Sequence, residues 1–310
     1  MIRHHTLILF ILAAVLGGAS ASAQTTPAES APNIAETQPN PTLFSRIRGL
    51  FDIDLPELDP PGTVRFKLSP RFGDFVHRDY VRVPTGLKWT PNDKLELNAE
   101  VEAYFHHYLG GGPVNNGIGE VRGGFKYVVR QWPTPDFESS FGMNVEIPVG
   151  SPPIDLTDGR NHYMPFAVVQ YRWANLPKLT TFGGVSFDIV TDSSVRGSIG
   201  RNTPLDDSFS IVGGAVYDLG QFKWTLQSTY TTTALISGTT ENYFTVQPSV
   251  LWFVPRKYTK FTNTQWIVGF GARSTWGPEG HDFSTSSRVR AEITFGQVVD
   301  RLRGAVNYRR

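Results

Sequence analysis

Ionisable side chains recur in step with a two-residue period in two neighbouring stretches of this sequence. In the first, Glu96, Glu100 and Glu102 share one phase with Asn98, while Leu95, Leu97, Ala99, Val101, Ala103 and Phe105 hold the other. After a glycine-rich loop, Glu120, Arg122, Lys126 and Arg130 take the polar phase, and Val121, Phe125, Tyr127 and Val129 the apolar one. Period two is the signature of a β-strand with one dry and one wet face. If the two strands pair, a column of acids lies beside a column of bases. Such columns do one of two things. They orient and select a charged solute by field and diameter, or they pair with one another and rigidify the interior.

The same phase, projected along the chain, extends the set. Arg65, Lys67 and Arg71 fall on the first strand-like segment, Arg82 and Lys88 on the second, and Arg288 and Arg290 on the last. If the sheet closes, first and last strands become neighbours and these bases form one wall, with Glu96, Glu100 and Glu102 opening an acidic stripe that faces it. Further round come Glu138, Asn144, Glu146, Gln170, Arg172 and Asp188. A neutral run of Thr225, Gln227, Thr229, Thr231 and Thr233 follows.

Other chemistries find less support. His106, His107, His162 and His281 fall near the long-loop ends, with Ser284, Ser286 and Ser287 nearby, but no nucleophile elbow accompanies them. No catalytic residue is assigned. Adjacent His106 and His107 point to opposite strand faces, and His281-Asp282 is read as part of a loop without a local third ligand. Neither a metal nor a cofactor is expected. The loop acids Asp155, Asp158, Asp206 and Asp207 are read as solvated, and the loop bases Arg160, Arg196 and Arg201 as contacts for lipopolysaccharide phosphates.

The elements that must position these residues follow from the whole chain. Residues 1–23 carry Arg3, an apolar run from Leu7 to Leu16 and the small-residue stretch Ala21-Ser22-Ala23, and read as a secretory signal peptide. Its removal takes one base, Arg3, from 29 and leaves 28 bases against 28 acids. That balance excludes the basic field of a nucleic-acid binder. The absence of cysteine rules out a disulfide framework and thiolate metal sites. Residues 24–62 form a Pro-rich leader: residues 24–41 read as a disordered linker, and residues 42–51 as a short amphipathic helix resting at the mouth of a barrel or plugging it. Pro56, Pro60 and Pro61 stop any helix before the first strand.

Residues 63–296 divide into twelve strand-like segments: 63–72, 79–89, 94–108, 117–131, 137–149, 162–174, 179–190, 207–219, 222–234, 242–254, 264–276 and 286–296. Short turns rich in Pro, Gly, Asn and Asp alternate with longer loops, and the spacing is about 20 residues per strand and connection. Tryptophan sorts by loop type. Trp89, Trp173, Trp224, Trp252 and Trp266 all lie near the short turns on the apolar phase, where an indole suits a membrane interface. The fold expected is a transmembrane antiparallel up-and-down β-barrel of about 12 strands in an outer membrane, with both termini periplasmic.

The final segment, Arg288 to Phe295, alternates up to a terminal phenylalanine and resembles the assembly signal read by the barrel-assembly machinery, with residues 297–310 left as a periplasmic tail. The stretch Val83-Pro84-Thr85-Gly86-Leu87-Lys88-Trp89, followed by Lys94-Leu95-Glu96-Leu97, and the strand end Val145-Glu146-Ile147-Pro148-Val149-Gly150 resemble outer-membrane barrels labelled as MetA-pathway phenol-degradation transporters. That resemblance implies a barrel of this size linked to uptake of small, often aromatic, compounds. The expected partners are therefore outer-membrane lipid, lipopolysaccharide, the assembly machinery and a small-molecule solute. Three readings stand side by side: a passive channel, a non-conducting structural barrel and a lipid-modifying enzyme.

Overall fold

The computed structural model describes residues 55–71, 79–107, 116–149, 157, 159–193, 207–234, 241–258, 264–278 and 280–295. The expected signal peptide, the helix at 42–51 and the tail after Phe295 lie outside these residues. Twelve antiparallel strands close into one barrel in simple sequence order, with β1 bonded to β12. They are β1 (Thr63–Leu68), β2 (Tyr80–Thr90), β3 (Leu95–His106), β4 (Gly117–Arg130), β5 (Phe137–Pro148), β6 (Arg160–Arg172), β7 (Leu179–Asp192), β8 (Ser208–Asp218), β9 (Phe222–Thr232), β10 (Asn242–Phe253), β11 (Thr264–Gly277) and β12 (Gly280–Phe295). Closure satisfies the backbone of every strand against a neighbour, which only a helix or a closed barrel can do in hydrocarbon.

The short turns are built as their residues dictate. Asn92 Oδ1 accepts from the Lys94 and Leu95 amides, both at 2.9 Å, and so starts β3. Asp218 Oδ1 accepts from the Gly220 amide at 2.7 Å, and Gly220 takes the positive φ (80°) that closes the β8–β9 hairpin. At the opposite rim β12 starts earlier than the sequence pattern indicates. Gly277 pairs directly with Gly280, so residues 280–285 form strand, not loop. His281 and Asp282 therefore sit on β12, opposite Trp276 and Thr275. The alternation there is hidden because Ser284, Ser286 and Ser287 offer no contrast between faces.

Alternation places the apolar phase outside. Leu87, Phe105, Phe125, Phe141, Leu226 and Phe270 are each 40% exposed or more. A water-soluble barrel would leave that continuous apolar band unmatched, whereas lipid matches it. Five of the tryptophans lie on this outer face near the short-turn rim. Phe222 stacks on Trp252, and Trp173 donates its indole N–H to Thr181 Oγ1 at 3.2 Å. One irregularity keeps the phases aligned: at the β3–β4 bulge the register shifts between Glu102 and Ala103. It lets Glu120 point inward while Ile118, two residues away, faces out.

Candidate functional site

Among the described residues, the ionisable side chains of the strands meet in the interior, and the register decides which of them touch. Lys67 pairs across to Gly86, Gly86 to Glu100, Glu100 to Arg122, and Arg122 to Glu146. Gly86 has no side chain, so Lys67 reaches over β2 and places its Nζ 2.7 Å from Glu100. A Cβ on Gly86 would lie 3.3 Å from the Cβ of Glu100 and crowd that crossing.

Arg122 is the hub. Its guanidinium lies 3.4 Å from Glu100, 3.1 Å from Glu102, 2.7 Å from Glu120 and 3.5 Å from Glu146. Glu102, 1% exposed, is the counter-hub: Arg71 stands 3.3 Å and Arg82 3.9 Å from it, besides Arg122. Arg71 lies beyond the end of β1, yet its backbone continues the pairing by donating to the Arg82 carbonyl at 2.9 Å. Near the short-turn rim, Glu96 is shared by Lys88 at 3.1 Å and Lys126 at 3.2 Å. Glu292 of β12 receives Arg65 at 2.8 Å and Arg290 at 3.5 Å, which ties the seam of the barrel. Arg288 pairs in register with Gly269 and lies in the electrostatic field of Arg71. Arg130 ends β4 opposite Glu138, exposed at the rim.

The sequence expectation of a basic wall facing an acidic one is corrected here. Glu96, Glu100 and Glu102 of β3 lie between bases of β1–β2 on one side and of β4 on the other, and each accepts from both. Bases and acids interleave into one self-neutralising ladder on β12 and β1 to β5. Adjacent strands 4.7–4.9 Å apart bring long side chains together before either can face the far wall.

The opposite arc, β6 to β11, is of another kind, and half of it escapes the sequence analysis. Met164, Phe166 and Val168 of β6 and Phe182 of β7 share the inward phase with buried Gln170. Residues 162–169 carry no polar–apolar contrast, so periodicity assigns them no face. Their company is the missing signal, for Phe166, Val168 and Phe182 each lie on a cross-strand glycine, Gly142, Gly184 and Gly214. A Cβ on Gly142 would stand 2.8 Å from the Phe166 ring, and one on Gly214 2.6 Å from the Phe182 ring. The rings thus lie over those glycines, along the wall. Beyond them hydroxyls pair with hydroxyls: Ser210 with Thr231 at 2.7 Å, Thr245 with Thr275 at 2.9 Å, and Thr225 with Ser249. At the junction of the arcs His162 Nδ1 sits 2.9 Å from Asp188.

At the short-turn rim the end of the leader enters the bore. Pro56 is buried, and Lys126 Nζ donates to the carbonyls of Leu55 and Glu57, both at 3.0 Å. Arg65 pairs with Asp59, and Arg172 stands 3.6 Å from Glu57. Burial pushes the Asp59 carboxyl above the usual carboxylate range, with Arg65 pulling the other way. Among the described residues no group of three metal-ligating side chains occurs.

No family model matches the chain, and no curated protein matches it. Among solved structures it is similar to the COG4313 outer membrane channel from Pseudomonas putida F1, at 10% identity and a TM-score of 0.48 over 80% of this chain and 100% of that one. The KdgM porin matches at 12% identity and 0.40, over 76% and 98% of the two chains. The CymD monoaromatic hydrocarbon channel matches at 9% identity and 0.40, over 76% and 89%. The neighbours are porin-like channels, and no family model supports the phenol-degradation label that the short motifs resemble.

Proposed function

We propose that this chain is an outer-membrane channel through which small solutes, aromatic and anionic ones among them, diffuse passively. The observation that carries the reading is the division of its two surfaces: an apolar band outside a closed barrel, and a polar, ion-paired interior within it. Arg65, Lys67, Arg71, Arg82, Lys88, Glu96, Glu100, Glu102, Glu120, Arg122, Lys126, Arg130, Arg288 and Arg290 then line the pore. Trp89, Trp173, Trp224, Trp252 and Trp266 mark the periplasmic membrane interface, which sets the short turns and both termini on the periplasmic side. The apolar, ring-bearing arc offers a surface to the body of an aromatic solute, and the ladder offers polar groups to its carboxylate. Arg160, with Asp192 3.7 Å away at the long-loop rim, is the described member of the proposed lipopolysaccharide contacts.

A second reading, a non-conducting structural barrel, is favoured by the saturation of the ladder, in which Glu102 is only 1% exposed and meets three guanidinium groups. Planar-bilayer recording separates the two. A channel gives steady unitary current, and Glu100→Lys, which sets a third cation beside Lys67 and Arg122, shifts the reversal potential towards anions. Liposome swelling with aromatic acids, sugars and nucleosides ranks the solutes. No current and no swelling with any of them would establish the structural barrel instead.

A further inference from the structure

The bore is not lined by strands alone. Residues 55–62 run from the start of β1 back into the short-turn mouth, and three strands hold them. The first anchor is at β1: the Thr63 amide donates to the Pro60 carbonyl at 3.1 Å, and Arg65 pairs with Asp59. Lys126 of β4 provides the second, with its two bonds to the Leu55 and Glu57 carbonyls. On β6, Arg172 meets the Glu57 carboxylate. In the ring order β6 lies five strands from β1 in a circle of twelve. The segment therefore subtends nearly half of the opening.

The chemistry of the Lys126 anchor sets it apart from the rest of the ladder. Its ammonium is buried, with the residue 5% exposed, and it meets Glu96 while donating to two backbone carbonyls. Lys88 already stands 3.1 Å from the Glu96 carboxylate, so the two leader carbonyls give the buried Lys126 donors acceptors that the ladder does not supply. Backbone carbonyls accept whatever the side chain, so the grip depends on the path of the leader and not on the identity of Leu55 or Glu57. Pro56 between them, buried and without an N–H, leaves no amide to be satisfied inside the mouth.

We infer that the leader end, residues 55–60, is a strap that sets the narrowest short-turn opening of the pore, with Lys126 as the positioning residue that holds it there. The inference rests on the channel reading. The strap decides the admitted solute diameter at that mouth, while the ladder and the ring-bearing arc act deeper in the bore.

The test uses the full chain folded in detergent and then in bilayers, with a spin label on Glu57→Cys, which is the only thiol because the sequence has no cysteine. Lys126→Met keeps Glu96 paired to Lys88, so the barrel retains its heat-modifiable migration on gels. The variant is expected to free the label and to raise unitary conductance at least twofold. Lys126→Arg keeps a donor at the same depth and is expected to restore both values. In a Lys126→Met background, Glu57→Cys and Arg172→Cys joined by a short bis-maleimide are expected to bring the current back down. A label that stays immobile in Lys126→Met overturns the role of the lysine. A freed label with unchanged current overturns the constriction. A freed label with no current in any variant, wild type included, overturns the channel reading and not the anchoring.

Discussion

The two halves of the interior solve one problem by opposite means. From β12 through β5 the barrel fills its inward face with long charged side chains that hold one another across strands. From β6 through β11 it relies mainly on short hydroxyls and on rings laid over glycine, with His162–Asp188, Arg172 and Arg273 among its charged members. Taking a charge out of water costs several kcal/mol, and one partner rarely repays it. The charged arc answers with multiplicity, since Arg122 touches four carboxylates and Glu102 touches three guanidinium groups. The neutral arc has little to repay, because a hydroxyl pair such as Thr245–Thr275 satisfies itself at 2.9 Å. The difference teaches that the interior is polar on one side without presenting an uncompensated field to the other. Under the proposed channel function, a solute between them would meet a ladder of fixed dipoles on one flank and a mostly apolar and hydroxyl surface on the other.

Three substitutions test that contrast. The largest effect is expected from Arg122→Met, which takes the shared cation from four carboxylates, leaving Glu100 to Lys67 and Glu102 to Arg71 and Arg82. Breaking a buried ion pair costs about 3–5 kcal/mol, and the urea midpoint of the refolded barrel, read by tryptophan fluorescence, should fall accordingly. Adding Glu120→Gln, which neutralises the carboxylate 2.7 Å from Arg122, should return part of the loss. If Arg122→Met unfolds with the wild-type midpoint, the ladder is not what holds that half together. Next comes Gly214→Leu in the other arc. The new side chain occupies the place of the Phe182 ring, and overpacking of this kind costs about 1–3 kcal/mol. Conductance should drop with it as the ring is pushed into the bore. An unchanged midpoint and current would mean that the ring does not need the glycine. The smallest change is expected from Thr245→Val, which removes one neutral hydrogen bond worth about 0.5–1.5 kcal/mol. A loss as large as that of Arg122→Met would erase the distinction between the arcs.

Much of the barrel could be read from single residues and their spacing. Twelve segments, their alternating short and long connections and the outward tryptophans all follow from patterns that span a few residues. The strands fall close to those positions, with β12 alone beginning six residues early, at Gly280 and not at 286. Serine-rich residues 284–287 carried no contrast to mark it. In the candidate site the inward set was legible for the same local reason: Glu96, Glu100, Glu102, Arg122 and Lys126 each sit opposite an apolar neighbour. Phe166 and Val168 were not legible, because the middle of β6 is apolar on both phases and only their glycine partners, Gly142 on β5 and Gly184 on β7, show where they point.

What the amino-acid order determined by itself is therefore the phase of each strand, since a pleated backbone turns every second side chain to the same face whatever surrounds it. Which inward groups meet was decided by the closed sheet. Register across β1 to β6 is what brings Lys67 over Gly86 to Glu100, gathers four acids on Arg122 and carries Leu55 and Glu57 to Lys126. Apart from Glu120, two positions from Arg122, those partners are 33 to 71 positions apart along the chain, or 20 to 24 around Arg122, and no short-range pattern encodes the shear that aligns them.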